Sequence, residues 1–373
     1  MSLWSNLISG IRAVLGGLFT PSCSIPWQPN ALAPIYFGYR DYHVRFQPTL
    51  EETLSRTAAG LSEELPSTPT RVFFPSRDPG IDSVPSEAAI LPYCGHYPLI
   101  VFAHGECDTD VDQYKKWYVI PSLLARCGYV VAVPDLVRTG GGADPDSGGG
   151  DLDLLHDLIG WMRTSWEYAD TLMPPPATGL AAHSHGCGLI AHLASMFPNE
   201  ITAWAGLSGV SEEGYMPIAQ YGFPKLFIWG SGNAEAAQTT FNPFPPSLGW
   251  DSIAAPKHSV VLRGVDHFDY IPPGHSTCGT VRGDCPLTPV MAAELLMMFF
   301  GRYLRPENAP DLRGPIPSSL MPPKFASLHL TNLQVFYAGD FLTGFENLNT
   351  DSSCGARMAW DIGGGDNGTI TVP

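Results

Sequence analysis

Six short apolar runs, at residues 99–103, 129–133, 178–182, 202–207, 226–229 and 259–262, recur along the middle of this chain, each bounded by turn residues. They are continuous rather than alternating, the pattern of strands buried on both faces of a sheet. Between them, residues 117–127, 152–166, 188–197 and 290–304 carry apolar side chains at the helical period. Strands and helices in alternation predict βαβ units, and so an α/β fold: a doubly wound, mostly parallel twisted sheet with helices on both faces. Two earlier strands are expected at 42–46 and 71–74, separated by a charged, helical stretch at 49–65. An apolar fraction of 44% against 15% charged residues supplies ample core, and 39 Gly with 36 Pro describe a loop-rich globular chain.

Around this central domain, placed at 41–305, the sequence changes character. Residues 1–40 begin with an amphipathic helix at 3–19, apolar at Leu3, Leu7, Ile8, Ile11, Val14, Leu15 and Leu18, with Arg12 as its only charge. Arg12 sits inside the apolar run rather than before it, which argues against a secretory signal. The helix is expected to dock on the domain, with a membrane-surface or lipid-interface role as the alternative. Pro21, Pro26, Pro29 and Pro34 interrupt the uncharged stretch between Arg12 and Arg40, so no transmembrane segment is expected. A glycine-rich insertion is expected at 140–150. Six prolines mark 306–323 as a linker, and 324–373 read as a small β-rich C-terminal extension with strands near 327–338, 357–361 and 369–372.

Net charge is −16, and five lysines leave no basic stripe to neutralise phosphates, so nucleic acid is excluded as a partner. The eight cysteines are scattered rather than arranged as a small disulfide framework. Cys278 and Cys285 are placed for a local bridge, Cys127 and Cys187 are expected to be thiols, and no CxxC pair suggests zinc. A soluble protein is expected, with cytoplasm favoured over secretion. Asp108, Asp110 and Asp112 alternate without the Gly and Glu of a calcium loop, and read as a solvated acidic lip that disfavours anionic substrates. Tyr114, Trp117, Tyr118 and Tyr215 lie near these loops as pocket or core aromatics. The glycines of 140–150 lack GxGxxG spacing, so no nucleotide site is expected.

The chemistry concentrates where the run at 178–182 meets His183-Ser184-His185-Gly186. Small-x-Ser-x-Gly at a strand-to-helix junction forces a serine out of the sheet on a strained turn, and makes Ser184 the candidate nucleophile. Ala182 stands where a glycine is usual. The buried run 99–103 ends in His104-Gly105, about eighty residues upstream, where an oxyanion loop belongs. Its donors would be the backbone N–H groups of Glu106 and His185. His104 itself reads as a structural hydrogen bonder. His267, in Val265-Asp266-His267-Phe268 after the last run and before the final long helix, is the candidate general base. His183 and His185 are expected to point away from the base, and neither is favoured as a metal ligand.

The order strand-His-Gly, small-x-Ser-x-Gly and late His, over roughly residues 70–304, resembles the α/β-hydrolase superfamily. The passages Thr70-Arg71-Val72-Phe73-Phe74-Pro75, YPLIVFAHG and LARCGYVVAVPDL resemble its dienelactone-hydrolase-like branches, with polyester hydrolases (cutinase-like), chlorophyllases and platelet-activating-factor acetylhydrolases. The resemblance implies the α/β-hydrolase fold and serine esterase chemistry without a cofactor, on small-molecule, lipid or polymer esters. It also implies an acid after the run 226–229, and here the sequence departs from the pattern. The ungapped position holds Asn233, so Glu235, two residues on, is the favoured acid. Glu212 or Glu213, after the preceding strand, are alternatives, Asp251 is an outsider, and Asp266 adjoins the base too closely. Competing readings are related acyl chemistry on the same residues, such as thioester or peptide hydrolysis or acyl transfer, and a non-catalytic binding protein on this fold, suggested by Asn233.

Overall fold

A computed structural model of the chain describes residues 36–45, 67–76, 97–105, 112–136, 149–209, 217–231, 248–262, 264–271, 288–304, 356–361 and 367–372. The expected helices at 3–19 and 49–65, most of the glycine-rich insertion, the pair Cys278 and Cys285, the proline-rich linker and the strand near 327–338 lie outside the described residues. So does Tyr215.

The central alternation forms as the apolar runs predict. In chain order the elements are β1 (Tyr36–Arg45), β2 (Ser67–Ser76), β3 (Leu99–Ala103), α1 (Val119–Arg126), β4 (Val130–Pro134), α2 (Gly149–Thr164), β5 (Thr178–His183), α3 (His185–Met196), β6 (Ala203–Leu207), β7 (Lys225–Gly230), α4 (Leu248–Ser252), β8 (Lys257–Leu262), α5 (Thr288–Leu304), β9 (Ala356–Asp361) and β10 (Asn367–Val372). Among the described residues, ten strands join one sheet in the order β1-β2-β4-β3-β5-β6-β7-β8-β9-β10. The six strands from β4 to β8 in that order are parallel to their neighbours, whereas β1, β2, β9 and β10 pair antiparallel at the two margins. The C-terminal strands thus continue the main sheet, with β9 zipped along β8 from Lys257↔Asp361 to Leu262↔Ala356.

Successive side chains along a strand face opposite ways, and two apolar layers result. Val131, Val133, Ile100, Phe102, Ala181, Ala205 and Ile228 pack with α1 and α5 on one face. Val130, Ala132, Val101, Leu180, Ala182, Trp204 and Phe227 pack with α2 and α3 on the other. Every residue of β3, β4 and β5 is buried. At the β1 margin, Arg71 makes a bidentate pair with Asp41, its partner in register, at 2.7 and 2.8 Å, and lies 4.1 Å from the centre of the Tyr39 ring. Tyr42 donates to Glu167 at 2.7 Å and accepts from the Trp166 indole at 3.2 Å, which ties this margin to the chain beyond α2.

Buried ionisable groups depart from this apolar scheme, Lys225, Lys257 and Glu294 among them. Lys225 and Lys257 face each other at the first register position of β7 and β8. The Lys225 ammonium donates to the carbonyls of Tyr221, Phe223 and Ala254 at 2.5, 2.9 and 3.1 Å, and that of Lys257 to Trp250 and Ile253 at 2.7 and 2.8 Å. Burial, with the charge of Lys257 added, lowers the Lys225 ammonium to about 7. Glu294, on α5, is 1% exposed, and neither carboxyl oxygen has a hydrogen-bond partner among the described residues. Burial raises its acid well above the ordinary range, so the folded protein holds it neutral.

Because the unfolded chain ionises Glu294 above about pH 4.3, folding stability drains away as pH rises from there through the raised folded value. Glu294→Gln removes that slope. Urea unfolding of the two proteins should give a stability difference in favour of the variant that widens as pH rises above about 4; a constant difference would contradict a neutral buried carboxyl. Gly160, exposed in α2, offers a simpler test, since an added Cβ meets nothing within 4 Å. Gly160→Ala should raise stability by about 0.5–1 kcal/mol in the same assay, and a loss would show that the helix is not continuous there.

Candidate active site

The C-terminal ends of the parallel strands carry the chemistry-bearing residues, as expected where an open α/β sheet leaves a crevice. Strand β5 ends at His183 and α3 begins at His185, leaving Ser184 between them at φ 54, ψ −127. Such a backbone conformation costs on the order of 1–3 kcal/mol for a non-glycine residue. Two hydrogen bonds hold it: Ser184 N–H donates to Leu207 O on β6, and Cys187 N–H donates to Ser184 O, both at 2.9 Å. Among the described residues, Cys187 and Cys127 form no disulfide.

The small residues around Ser184 have identifiable causes. A Cβ at Gly186 would lie 2.5 Å from Ala103 O and 2.6 Å from His104 O, so α3 starts directly against the end of β3. A Cβ at Gly105 would lie 2.7 Å from both Ser184 Cβ and His183 Nδ1. Ala182, in the position where glycine is usual, is fully buried and accommodated in the α2–α3 layer. His104 is the structural hydrogen bonder expected. Its Nε2 accepts the Leu136 N–H at 2.9 Å, so Nδ1 carries the proton and donates to Gly105 O at 2.8 Å. The loop after β3 is thereby pinned to the end of β4.

His267 lies in the segment 264–271 after β8, and its Nε2 is 2.8 Å from Ser184 Oγ. Both side chains are largely buried, at 2% and 8% exposure, so little water competes for that hydrogen bond. The segment around His267 is a tight turn: Asp266 N–H donates to Asp269 Oδ2 at 2.8 Å and Asp269 N–H to Asp266 O at 3.0 Å. Phe268 packs edge-on against the His267 ring with centroids 4.9 Å apart. Gly230, ending β7, runs so close beneath that a Cβ there would lie 2.0 Å from Val265 O.

One expectation about the neighbours of Ser184 is overturned. His183 does not point away from the base: its ring centroid is 4.8 Å from that of His267, and its Nε2 is 2.7 Å from the His267 carbonyl oxygen. The alternation of β5 accounts for this, because His183 falls on the same face as Ala181, the layer that also holds Trp117, Val265 and Tyr270. That two-residue register was readable in the sequence and was the signal missed. Trp117 is core rather than pocket lining, 2% exposed and packed between Phe102 and His183 at 5.1 and 4.9 Å. Tyr114 is likewise buried, and Tyr118 packs on the same layer. Asp112 adopts a left-handed conformation at φ 67 and pairs with Lys115 at 2.9 Å.

Of the other candidates, Glu106, Asn233, Glu235, Glu212 and Glu213 lie outside the described residues, as do Asp108 and Asp110. Asp251 belongs to α4, whose Trp250 carbonyl is held by Lys257 at the start of β8, the end of the sheet remote from His267. That placement removes it as the orienting acid. His185 is the first residue of α3, where an amide has no acceptor within the helix. Among the described residues, no group of three or more His, Cys, Asp or Glu is arranged to hold a metal ion, and no helix is long and apolar enough to cross a membrane.

No protein-family model matches the sequence, and no curated protein matches it significantly. Among solved structures, 1127 chains match. One is a ferulic acid esterase from Streptomyces cinnamoneus, with a TM-score of 0.51 and 16% identity over 79% of this chain and 97% of that one. Another is a dienelactone hydrolase from Anabaena variabilis, with a TM-score of 0.43 and 14% identity over 72% of this chain and 99% of that one. With the mostly parallel sheet described above, the first of these comparisons shows the fold: the chain has the α/β-hydrolase fold.

Proposed function

We propose that the protein is a serine carboxylic-ester hydrolase. The observation that carries this reading is the 2.8 Å contact between Ser184 Oγ and His267 Nε2, made at a turn strained to φ 54. An ordinary helix-start serine needs neither the strain nor the imidazole.

In this reading His267 Nε2 takes the hydroxyl proton as Ser184 Oγ bonds to the ester carbonyl carbon. The carbonyl oxygen gains negative charge, and the backbone N–H groups of Glu106 and His185 receive it. Collapse of the intermediate breaks the bond to the alcohol, which leaves with the proton from His267. Water, deprotonated by the same nitrogen, then attacks the acyl carbon; the bond to Ser184 Oγ breaks, His267 returns the proton to that oxygen, and the acid is released. Glu235 orients and stabilises the imidazolium, with Asn233 and Glu212 as alternatives for that position. No cofactor enters the scheme. Substrates are small-molecule, lipid or polymer esters, a range consistent with the ferulic acid esterase among the structural neighbours.

Hydrolysis of p-nitrophenyl esters from acetate to palmitate tests this directly. Ser184→Ala should lower kcat/KM by about 10³-fold or more, since only binding and oxyanion contacts remain. Equal rates in variant and parent would overturn the proposal. In parallel, Glu235→Gln, Asn233→Ala and Glu212→Gln identify the acid: the true one should cost about 10²–10⁴-fold while the other two stay close to the parent. A large loss at Glu212 alone would move the acid to the strand before β7.

A further inference from the structure

We infer that His183 is a positioning residue for the general base: its Nε2–H, donated to the His267 carbonyl oxygen, holds the 264–271 segment in the register that brings His267 Nε2 to Ser184 Oγ. The inference rests on the esterase reading for what the register accomplishes, and on geometry alone for the contact.

A carbonyl oxygen can only accept, so at 2.7 Å the proton of this hydrogen bond sits on His183 Nε2. The other nitrogen, Nδ1, is buried and has no hydrogen-bond partner among the described residues. Only one neutral tautomer is therefore satisfied. Complete burial, with the neighbouring His267 and His104 rings adding to it, pushes the His183 imidazole well below its ordinary value, so it stays neutral. It does not compete with His267 for the serine proton.

The ring has little freedom to turn. Trp117 lies at 4.9 Å and Tyr270 at 5.5 Å, and the Gly105 backbone comes close enough that a Cβ there would be 2.7 Å from Nδ1. His183 is thus fixed by β5 on one side and by the core on the others. The His267 carbonyl is anchored to this fixed ring, and its side chain projects from the same residue onto Ser184. Losing the anchor frees the His267 backbone to rotate, and a displacement of about 1 Å at a reacting atom is enough to cost roughly 10²-fold in rate. Substrate contacts are not made by this buried ring, which is 1% exposed.

Two variants and one spectrum test the inference. His183→Phe keeps the aromatic packing and removes the donor; His183→Gln keeps a donor amide at similar reach. We expect His183→Phe to lower kcat by about 10- to 100-fold with KM within about twofold of the parent, and His183→Gln to recover most of the loss. Parental kcat in His183→Phe, an effect confined to KM, or equal losses in both variants would overturn it, the last by assigning the effect to packing. ¹⁵N NMR of the parent's histidines gives a readout that does not depend on the variants folding. His183 should be neutral and protonated at Nε2; a proton on Nδ1 or an imidazolium would overturn the contact. A parent with no ester turnover would instead contradict the esterase reading, and the spectrum would still decide whether the hydrogen bond exists.

Discussion

The turn at Ser184 is the constraint on which the rest of the site depends. A residue at φ 54 with a buried hydroxyl persists only where its surroundings over-determine it. Here β6 accepts its amide through Leu207 O, α3 closes on its carbonyl through Cys187 N–H, and β3 meets α3 without the room for a single Cβ at Gly186. The sheet order makes this possible, because β3 and β6 are the two strands that flank β5. Local strain is thus held by long-range pairing, and the serine is presented where the C-terminal end of β8 can supply an imidazole.

The two ends of the sheet differ in their electrostatics. At the end bearing Ser184, three histidines sit close together, and their hydrogen bonds sort their protons: His104 on Nδ1, His183 on Nε2, leaving His267 facing the hydroxyl. At the opposite end, Lys225 and Lys257 donate to backbone carbonyls, and so tie α4 and the chain before β7 to the strand starts. An ammonium held by neutral carbonyls is costly in a buried position, and the lowered Lys225 ammonium reflects it.

Much of this architecture was legible because a strand buried on both faces must be continuously apolar. The expected run 99–103 coincides with β3, and 178–182 falls one residue short of β5. Where the sequence misled, a polar residue occupied a strand position. Runs 226–229 and 259–262 start late because the strands begin with Lys225 and Lys257, whose carbonyl partners are remote in sequence. His183 was hidden for the same reason: it terminates β5 facing inward, and only the alternation with Ala181 reveals its side. The β1 strand begins six residues earlier than expected, at Tyr36, because its polar residues Arg40 and Asp41 are paired with Glu167 and Arg71. The candidate nucleophile and base, Ser184 and His267, stood out by spacing, since a strained turn admits few residues, and the fold brings the two side chains to 2.8 Å. An acid carried on a loop has no comparable steric signature, and Asn233 and Glu235 differ by too little in position for spacing to choose between them.

As proposed, Ser184 is an activated nucleophile rather than a buried structural hydroxyl. Reaction of the folded protein with a fluorophosphonate reagent, followed by mass mapping of its peptides, tests it most directly, because only a serine whose proton can be removed in place is phosphonylated. One adduct is expected, on Ser184, formed by the native protein and not by protein unfolded before the reagent is added. No adduct, or an adduct on another serine, would contradict it.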